Sequence, residues 1–238
     1  MRFLVIALLM GLSAAFAQAG PYADPVYLSK TEISIPQVMT PPPVRGSAQD
    51  LQDIATILQL QNSRTAEDCQ RAAVEANISL KSFFGAPYGP LSDQEVAKWE
   101  SFFEKVRGDV DFFAYQAKQF WGRPRPFLED QRVNPCVKRE GTLAYPSGHA
   151  AISRVFASLL MRIFPERTQV FAARADQIAF DRVMSGMHHP TDIEAGKLLG
   201  QVLFQRLMNN ANFLKDFRPL LGQPLIKVRA THHRAYGS

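Results

Sequence analysis

The sequence is short of several things, and each shortage removes a class of answer. It has two cysteines in 238 residues, Cys69 and Cys136, and no Cys-x-x-Cys pair. Neither a cysteine-ligated metal module nor a dense disulfide scaffold is therefore available. Beyond the first twenty residues no long charge-free apolar run occurs. The best candidate, "VFASLLMRIF", is interrupted by Arg162, so no segment is built to span a bilayer. Strand-like alternation of apolar and polar residues is scarce, which points away from a β-sheet protein. Basic and aromatic residues do not interleave as they do on nucleic-acid-binding surfaces, so no nucleic-acid polymer is expected as a partner. The formal net charge is only +5, which is compatible with anionic substrates without demanding them.

What is present begins with "MRFLVIALLMGLSAAFAQAG", which reads as a secretory signal over residues 1–19. Arg2 supplies the positive start, Phe3 to Leu12 a short apolar run, and Ala15-Phe16-Ala17 and Ala17-Gln18-Ala19 two small-x-small cleavage sites. Neither site is followed by a cysteine, so a lipid anchor has no attachment point. The mature chain is expected to be exported and free of integral membrane association. In an oxidising compartment Cys69 and Cys136 form a candidate disulfide. Two separate buried thiols are the alternative, since sequence carries no distance between them.

Residues 20–46 hold "GPYADP" and "TPPPVRG", a Pro-rich lead-in with no regular structure of its own. From Ser47 the pattern is helical. A serine cap precedes Leu51, Ile54, Ile57 and Leu58 on one face, and a threonine cap opens "TAEDCQRAAVEANISL". Ser92 and Glu95 have capping-box spacing. Trp99, Phe102, Val106, Val110, Phe113, Ala117 and Phe120 then recur at three-to-four spacing until "GRPRPF" stops the helix. Further helices are expected from Ser147, through "ERTQVFAARADQIAFDRVM", and from Pro190, a favoured first-turn residue. The fold class is all-α, a single-domain helical bundle over 47–221. A basic tail, 222–238, follows, in which His232 and His233 read as solvated.

Three places put charge where such helices should be apolar or end. Lys118 lies near the end of the long helix, with Arg125-Pro126 following. His149 lies in the first turn after Pro146-Ser147-Gly148. Arg182, His188 and Asp192 straddle the last long junction, where Arg182 extends the apolar stripe of Phe171, Ala175 and Ile178. A buried guanidinium there requires an anion, and Asp192 can reach back to fix an imidazole tautomer. Singly, each has a plain reading: a solvated lysine, a loop arginine, an N-cap, a structural histidine, a carboxylate favouring its helix dipole. Together, Lys-x6-Arg-Pro, Pro-Ser-Gly-His and Arg-x5-His-x3-Asp form an ordered three-part pattern.

"KQFWGRPRP", "PSGH" and "DRVMSGMHHPTD" resemble the signature of the type 2 phosphatidic acid phosphatase (PAP2) superfamily, which also contains vanadium haloperoxidases. Within it the chain is similar to secreted bacterial class A non-specific acid phosphatases. "PPPVRGS", "TAEDCQRAAVEANISL", "VRGDVDFFAYQAK" and "NNANFLKDF" extend the likeness over most of residues 39–218. The resemblance implies a periplasmic phosphomonoesterase of broad specificity. Lys118, Arg125, Ser147, Gly148 and Arg182 would bind phosphate, with the Gly148 and His149 backbone N–H groups forming a helix-start anion site. His188, oriented by Asp192, would be the nucleophile, and His149 the general acid and base. Ser147 is expected to point at phosphate rather than cap.

No metal or other cofactor is expected, because fixed cations would stabilise the charge, and vanadate would act as a phosphate-mimicking inhibitor. Small phosphorylated molecules and inorganic phosphate are the expected partners. A homo-oligomer is left open. Asp181 stands where the family usually has Ser, leaving open whether its charge faces the phosphate. Arg123 and His189 are off-register and read as neighbours. Alternatives are lipid or isoprenoid (pyro)phosphate hydrolysis, a vanadate-dependent haloperoxidase, and a phosphate-binding protein without turnover.

Overall fold

Hydroxyl caps and prolines cut the chain into helices close to where its pattern places them. The computed structural model describes residues 22–221. The expected signal segment and the tail with His232 and His233 lie outside the described residues. In order, the helices are α1 (Ile35–Val38), α2 (Ala48–Ser63), α3 (Ala66–Glu75), α4 (Leu80–Phe84), α5 (Asp93–Trp121), α6 (Pro126–Glu129), α7 (Gly148–Ile163), α8 (Thr168–Met184), α9 (Pro190–Met208) and α10 (Ala211–Phe217). Among the described residues there is no β-strand, only one isolated bridge between Gly85 and Leu91. The all-α expectation holds.

The starts follow from local chemistry. Ser47 accepts the Asp50 N–H, while Thr65 with Asp68 and Ser92 with Glu95 form reciprocal capping boxes. Gly122 ends α5 in the left-handed region at φ 68°, and Pro190 opens α9. The Pro-rich lead-in is more integrated than its composition suggests. Buried Asp109 on α5 accepts the backbone N–H groups of Val26, Tyr27 and Leu28 at 2.5, 2.9 and 2.9 Å. Tyr27 and Leu28 join the core, α1 supplies one helical turn, and Tyr145 Oη donates to the Thr40 carbonyl at 2.7 Å. A carboxylate on the helical body supplies the hydrogen bonds this segment lacks within itself.

α7 packs against α5, α8 and α9. Its Ala151, Val155, Phe156 and Leu160 belong to a large core with Phe103, Val110, Phe113, Phe171 and Leu203. Ala150 belongs instead to a smaller one with Ile54, Ile57, Val183 and Ile193. The first turn of α7 therefore sits where two apolar clusters meet.

Two residues assigned to the core face are on the surface, Leu51 at 61% exposure and Phe120 at 56%. In α2 the buried positions are Asp50, Asp53, Ile54 and Ile57. The two aspartates turn inward to meet Arg123, which rotates the stripe by one position and leaves Leu51 outside. At the end of α5 the inward place is taken by Lys118, and Phe120 packs only edge-on to Trp121.

Cys69 and Cys136 are bonded, tying the start of α3 to the loop before α7 across 67 residues. Closing a loop of that size contributes about 4 kcal/mol in the chain-entropy model. Reductant should therefore lower the urea midpoint by a corresponding amount, and an unchanged midpoint would contradict a structural bond. The α7–α9 contact depends on Gly196 and Gly200. A Cβ on Gly196 would lie 2.4 Å from the Ser147 carbonyl oxygen and one on Gly200 2.5 Å from that of Ala151. Gly196→Ala should cost about 1–3 kcal/mol of stability by forcing the helices apart, read in the same unfolding experiment.

Candidate active site

The three parts of the motif come together at the first turn of α7. A small cavity of about 60 Å³ is lined by Lys118, Arg125, Gly148, His149 and His188, with Glu140 and Thr142 from the loop before α7. Tyr22, Ile78, Asp111, Ala114 and Tyr115 complete its lining. Arg182 reaches the same cluster from the end of α8 through Glu140.

His188 is held from both sides. Its Nδ1 lies 3.2 Å from Asp192 Oδ2 and its Nε2 2.7 Å from Arg125 Nη1. A guanidinium only donates, so Nε2 must be the accepting nitrogen and Nδ1 carries the proton toward Asp192. This tautomer presents an Nε2 lone pair to the cationic cluster. Burial, followed by the Arg125 charge, holds the imidazole well below its ordinary pKa and so neutral.

Asp192 is entirely buried and accepts from four donors. Besides His188 these are the His189 N–H at 2.8 Å, His189 Nδ1 at 3.0 Å and Arg123 Nη1 at 2.8 Å. Burial alone would raise its pKa, but the bonds from His188 and His189 hold it well below the usual carboxylate range. Arg123 also pairs with Asp50 at 2.8 Å and Asp53 at 3.2 Å, and His189 Nε2 meets Glu129 at 3.0 Å. Arg123 and His189 are thus neighbours of the cluster, as their register implied, but they are the neighbours that fix Asp192. Asp50, Glu129 and His189 also bring three ligand-type atoms within 4.8 Å of one another. Arg123 already answers Asp50 and His189 already bridges two carboxylates, so the hydrogen bonds present account for all three.

Arg125 uses its whole donor set. Nε and Nη2 bond the Thr142 carbonyl and hydroxyl at 2.8 and 2.7 Å, Nη1 the Met187 carbonyl at 3.0 Å and His188, and Nη2 also Glu140 at 2.6 Å. Lys118 Nζ donates to the carbonyls of Leu143 and Ala144 at 2.6 and 3.1 Å, leaving one of its three protons for the cavity. Its pKa is lowered well below the ordinary value by burial and then by Arg125. Arg182 is fully buried and reaches Glu140 through Nη2, while its Nε and Nη1 have no hydrogen-bond partner among the described residues. Two unsatisfied guanidinium donors in such a place call for an anion.

His149 Nε2 lies 3.2 Å from the Glu75 carbonyl, which can only accept, so that nitrogen bears a proton and Nδ1 is the one that titrates. Burial and then Arg182 hold the ring well below its ordinary pKa. The Gly148 and His149 N–H groups are first-turn donors with no acceptor inside the helix. Ser147 differs from expectation. It is fully buried and its Oγ accepts the Ala150 N–H at 3.3 Å, so it caps α7. Its own N–H is held by the Asp192 carbonyl at 2.9 Å, which turns the side chain into the helix start.

Asp181 does not face the cavity. Its carboxylate takes Arg71 Nε and Nη2 at 2.7 and 2.9 Å and Gln177 at 2.8 Å. Adjacent helical positions diverge by about 100°, so Arg182 can face the cluster while Asp181 faces α3. Glu140 was not foreseen. It lies in an irregular loop with no periodicity to mark an inward residue, and only the packed structure places it between Arg125 and Arg182.

Residues 110–216 match the PAP2 superfamily model. The chain is 30% identical over 158 residues to a non-specific acid phosphatase of Salmonella typhi, an alignment covering 62% of each protein. It is 28% identical over 204 residues to an acid phosphatase of Zymomonas mobilis, covering 82% of this chain and 76% of that one. With a non-specific acid phosphatase of Providencia stuartii the identity is 26% over 205 residues, covering 82% and 83%. Among solved structures, a bacterial vanadium-dependent iodoperoxidase superposes with a TM-score of 0.54 at 16% identity, covering 72% of this chain and 52% of that one. That likeness concerns the fold alone. The motif residues from Lys118 to Asp192 all fall inside the matched span, so the part of the chain that holds the cluster matches the PAP2 superfamily model, in a sequence similar to bacterial non-specific acid phosphatases.

Proposed function

We propose that the protein is a phosphoric monoester hydrolase that works through a phosphohistidine on His188 and needs no metal. The observation that carries this reading is the His188 tautomer: Nδ1–H donates to Asp192, and the Nε2 lone pair accepts from Arg125 in a small cavity that Lys118 also lines. The names of the relatives support the same class of chemistry.

In the first half-reaction Arg125 Nη1 turns from His188 to a phosphoryl oxygen, and the freed Nε2 lone pair attacks phosphorus as the ester P–O bond breaks. The departing oxygen takes a proton from His149, and Asp192 stabilises the imidazolium character of His188. In the second half, water gives a proton to His149 Nδ1 and attacks phosphorus. The P–N bond breaks, releasing inorganic phosphate and neutral His188. Lys118, Arg125, Arg182 and the Gly148 and His149 N–H groups neutralise the equatorial oxygens throughout. His149 is neutral beside Arg182 in the free protein, and a bound dianion offsets that arginine and favours the protonated ring. Substrate itself charges the general acid.

The cavity admits a phosphoryl group while the leaving group lies outside among Tyr22, Ile78 and Tyr115, which supports broad specificity toward small monoesters. Among the described residues no helix is long and apolar enough to cross a membrane. The Cys69–Cys136 bond is consistent with export to an oxidising periplasm after removal of the signal segment.

His188→Ala should lower turnover of an aryl phosphate by roughly 10³-fold or more and abolish the phosphoenzyme trapped by acid quench. A trapped phosphoenzyme persisting in the variant would overturn the nucleophile assignment. Activity should survive a chelator, and loss that returns only on adding metal would overturn the metal-independent reading. His189 gives a pH signature. Burial opposes its charge, but its bonds to Asp192 and Glu129 raise the pKa above the ordinary 6.5. Its stabilisation is therefore complete below 6.5 and is lost as pH rises through the folded value. His189→Asn should cost roughly 2 kcal/mol at pH 5, and the deficit should shrink as pH is raised through the folded value in urea unfolding. A deficit that grew with pH instead would contradict a charged His189.

A further inference from the structure

Glu140 has no place in the three-part motif, yet it bridges two of the motif's arginines. One carboxylate oxygen lies 2.6 Å from Arg125 Nη2 and the other pairs with Arg182 Nη2. The residue thus spans the two arginines assigned to the phosphoryl oxygens. It is held on a loop whose start is fixed by the Cys136 bond and whose end runs into the buried Tyr145 and Ser147. The side chain remains 31% exposed, between the cluster and the outside.

We propose that Glu140 is an intramolecular occupant of the phosphoryl site: a monoester or phosphate binds by displacing its carboxylate from Arg125 and Arg182. The inference rests on the phosphatase reading only for the identity of the displacing anion.

Charge balance explains why such an occupant is needed. Lys118, Arg125 and Arg182 converge in a buried space, and unpaired cations there are costly. Glu140 meets that cost within the chain. Burial opposes its charge, but the Arg182 and Arg125 guanidiniums hold it well below the carboxylate range, so it stays anionic. Geometry explains why it can be displaced. Two carboxylate oxygens reach one nitrogen on each arginine, and Arg182 Nε and Nη1 have no hydrogen-bond partner among the described residues. A phosphoryl group carries three non-bridging oxygens and a second charge. It can engage those donors together with the Gly148 and His149 N–H groups, which Glu140 leaves unused. Glu140 thereby sets a threshold that a tetrahedral dianion passes and a simple carboxylate does not.

The consequence is a conformational tax on affinity, since only the fraction of molecules with Glu140 displaced can bind. The test is inorganic phosphate binding by calorimetry on the full chain and on Glu140→Gln, with thermal unfolding as a control for folding. The variant should bind phosphate roughly tenfold more tightly, and acetate, weak or silent on the wild type, should now compete. Equal or weaker phosphate binding by a folded Glu140→Gln overturns the inference. If that variant does not fold, Glu140→Asp carries the same test. It keeps the charge but is one methylene too short to span both arginines, and phosphate should again bind more tightly than to the wild type. Tighter binding without turnover of an aryl phosphate would leave the occupant role standing and remove the phosphatase reading. Equal binding with normal turnover would do the reverse, and no phosphate binding by any of the proteins would remove both.

Discussion

One buried carboxylate holds the site together. Asp192 accepts from His188, from His189 twice and from Arg123, and its own carbonyl anchors the N–H of Ser147 at the start of α7. It therefore joins His188, the support network behind it and the helix that carries His149. A carboxylate at zero exposure is tolerable only because every donor around it is aligned and several are charged. Removing any of those donors would leave Asp192 underpaired, which is why residues outside the reaction matter to it.

The same accounting extends outward in two directions. Behind Asp192, Arg123 is balanced by Asp50 and Asp53 on α2, and His189 by Glu129 on α6. In front, Glu140 is the carboxylate that ion-pairs with Arg125 and Arg182, and Asp111 lines the same cavity. The rear network answers both Nη groups of Arg123 with carboxylates and leaves only its Nε without a partner among the described residues, so it is suited to hold geometry. The front one leaves Arg182 donors unanswered, so it is suited to take up an anion. The difference between scaffold and binding site is here a difference in how completely charge is matched.

Much of this was legible in the linear sequence, and the reasons are local. Ser47, Thr65 and Ser92 cap helices through atoms three residues away, and Pro190 constrains its own φ, so these signals survive without tertiary context. The ordered motif located every cation and both histidines of the cluster. What misled was the assumption that a buried stripe is apolar. α2 turns Asp50 and Asp53 inward because Arg123 waits there, and that arginine is seventy residues away in sequence. Ser147 likewise kept its ordinary capping bond despite standing in a functional motif.

The sequence by itself determined the six longer helices, their order, and which residue types could form an anion-handling centre, because caps, prolines and periodicity act over a few residues. Only the tertiary structure decided which partner each charged group takes. It turned Asp181 to Arg71, made His189 and Arg123 the supports of Asp192, and set Glu140 between two arginines. The physical reason is that a charge removed from water must be answered by whatever lies within about 3 Å of it. Which groups come that close is fixed by helix packing across the whole chain.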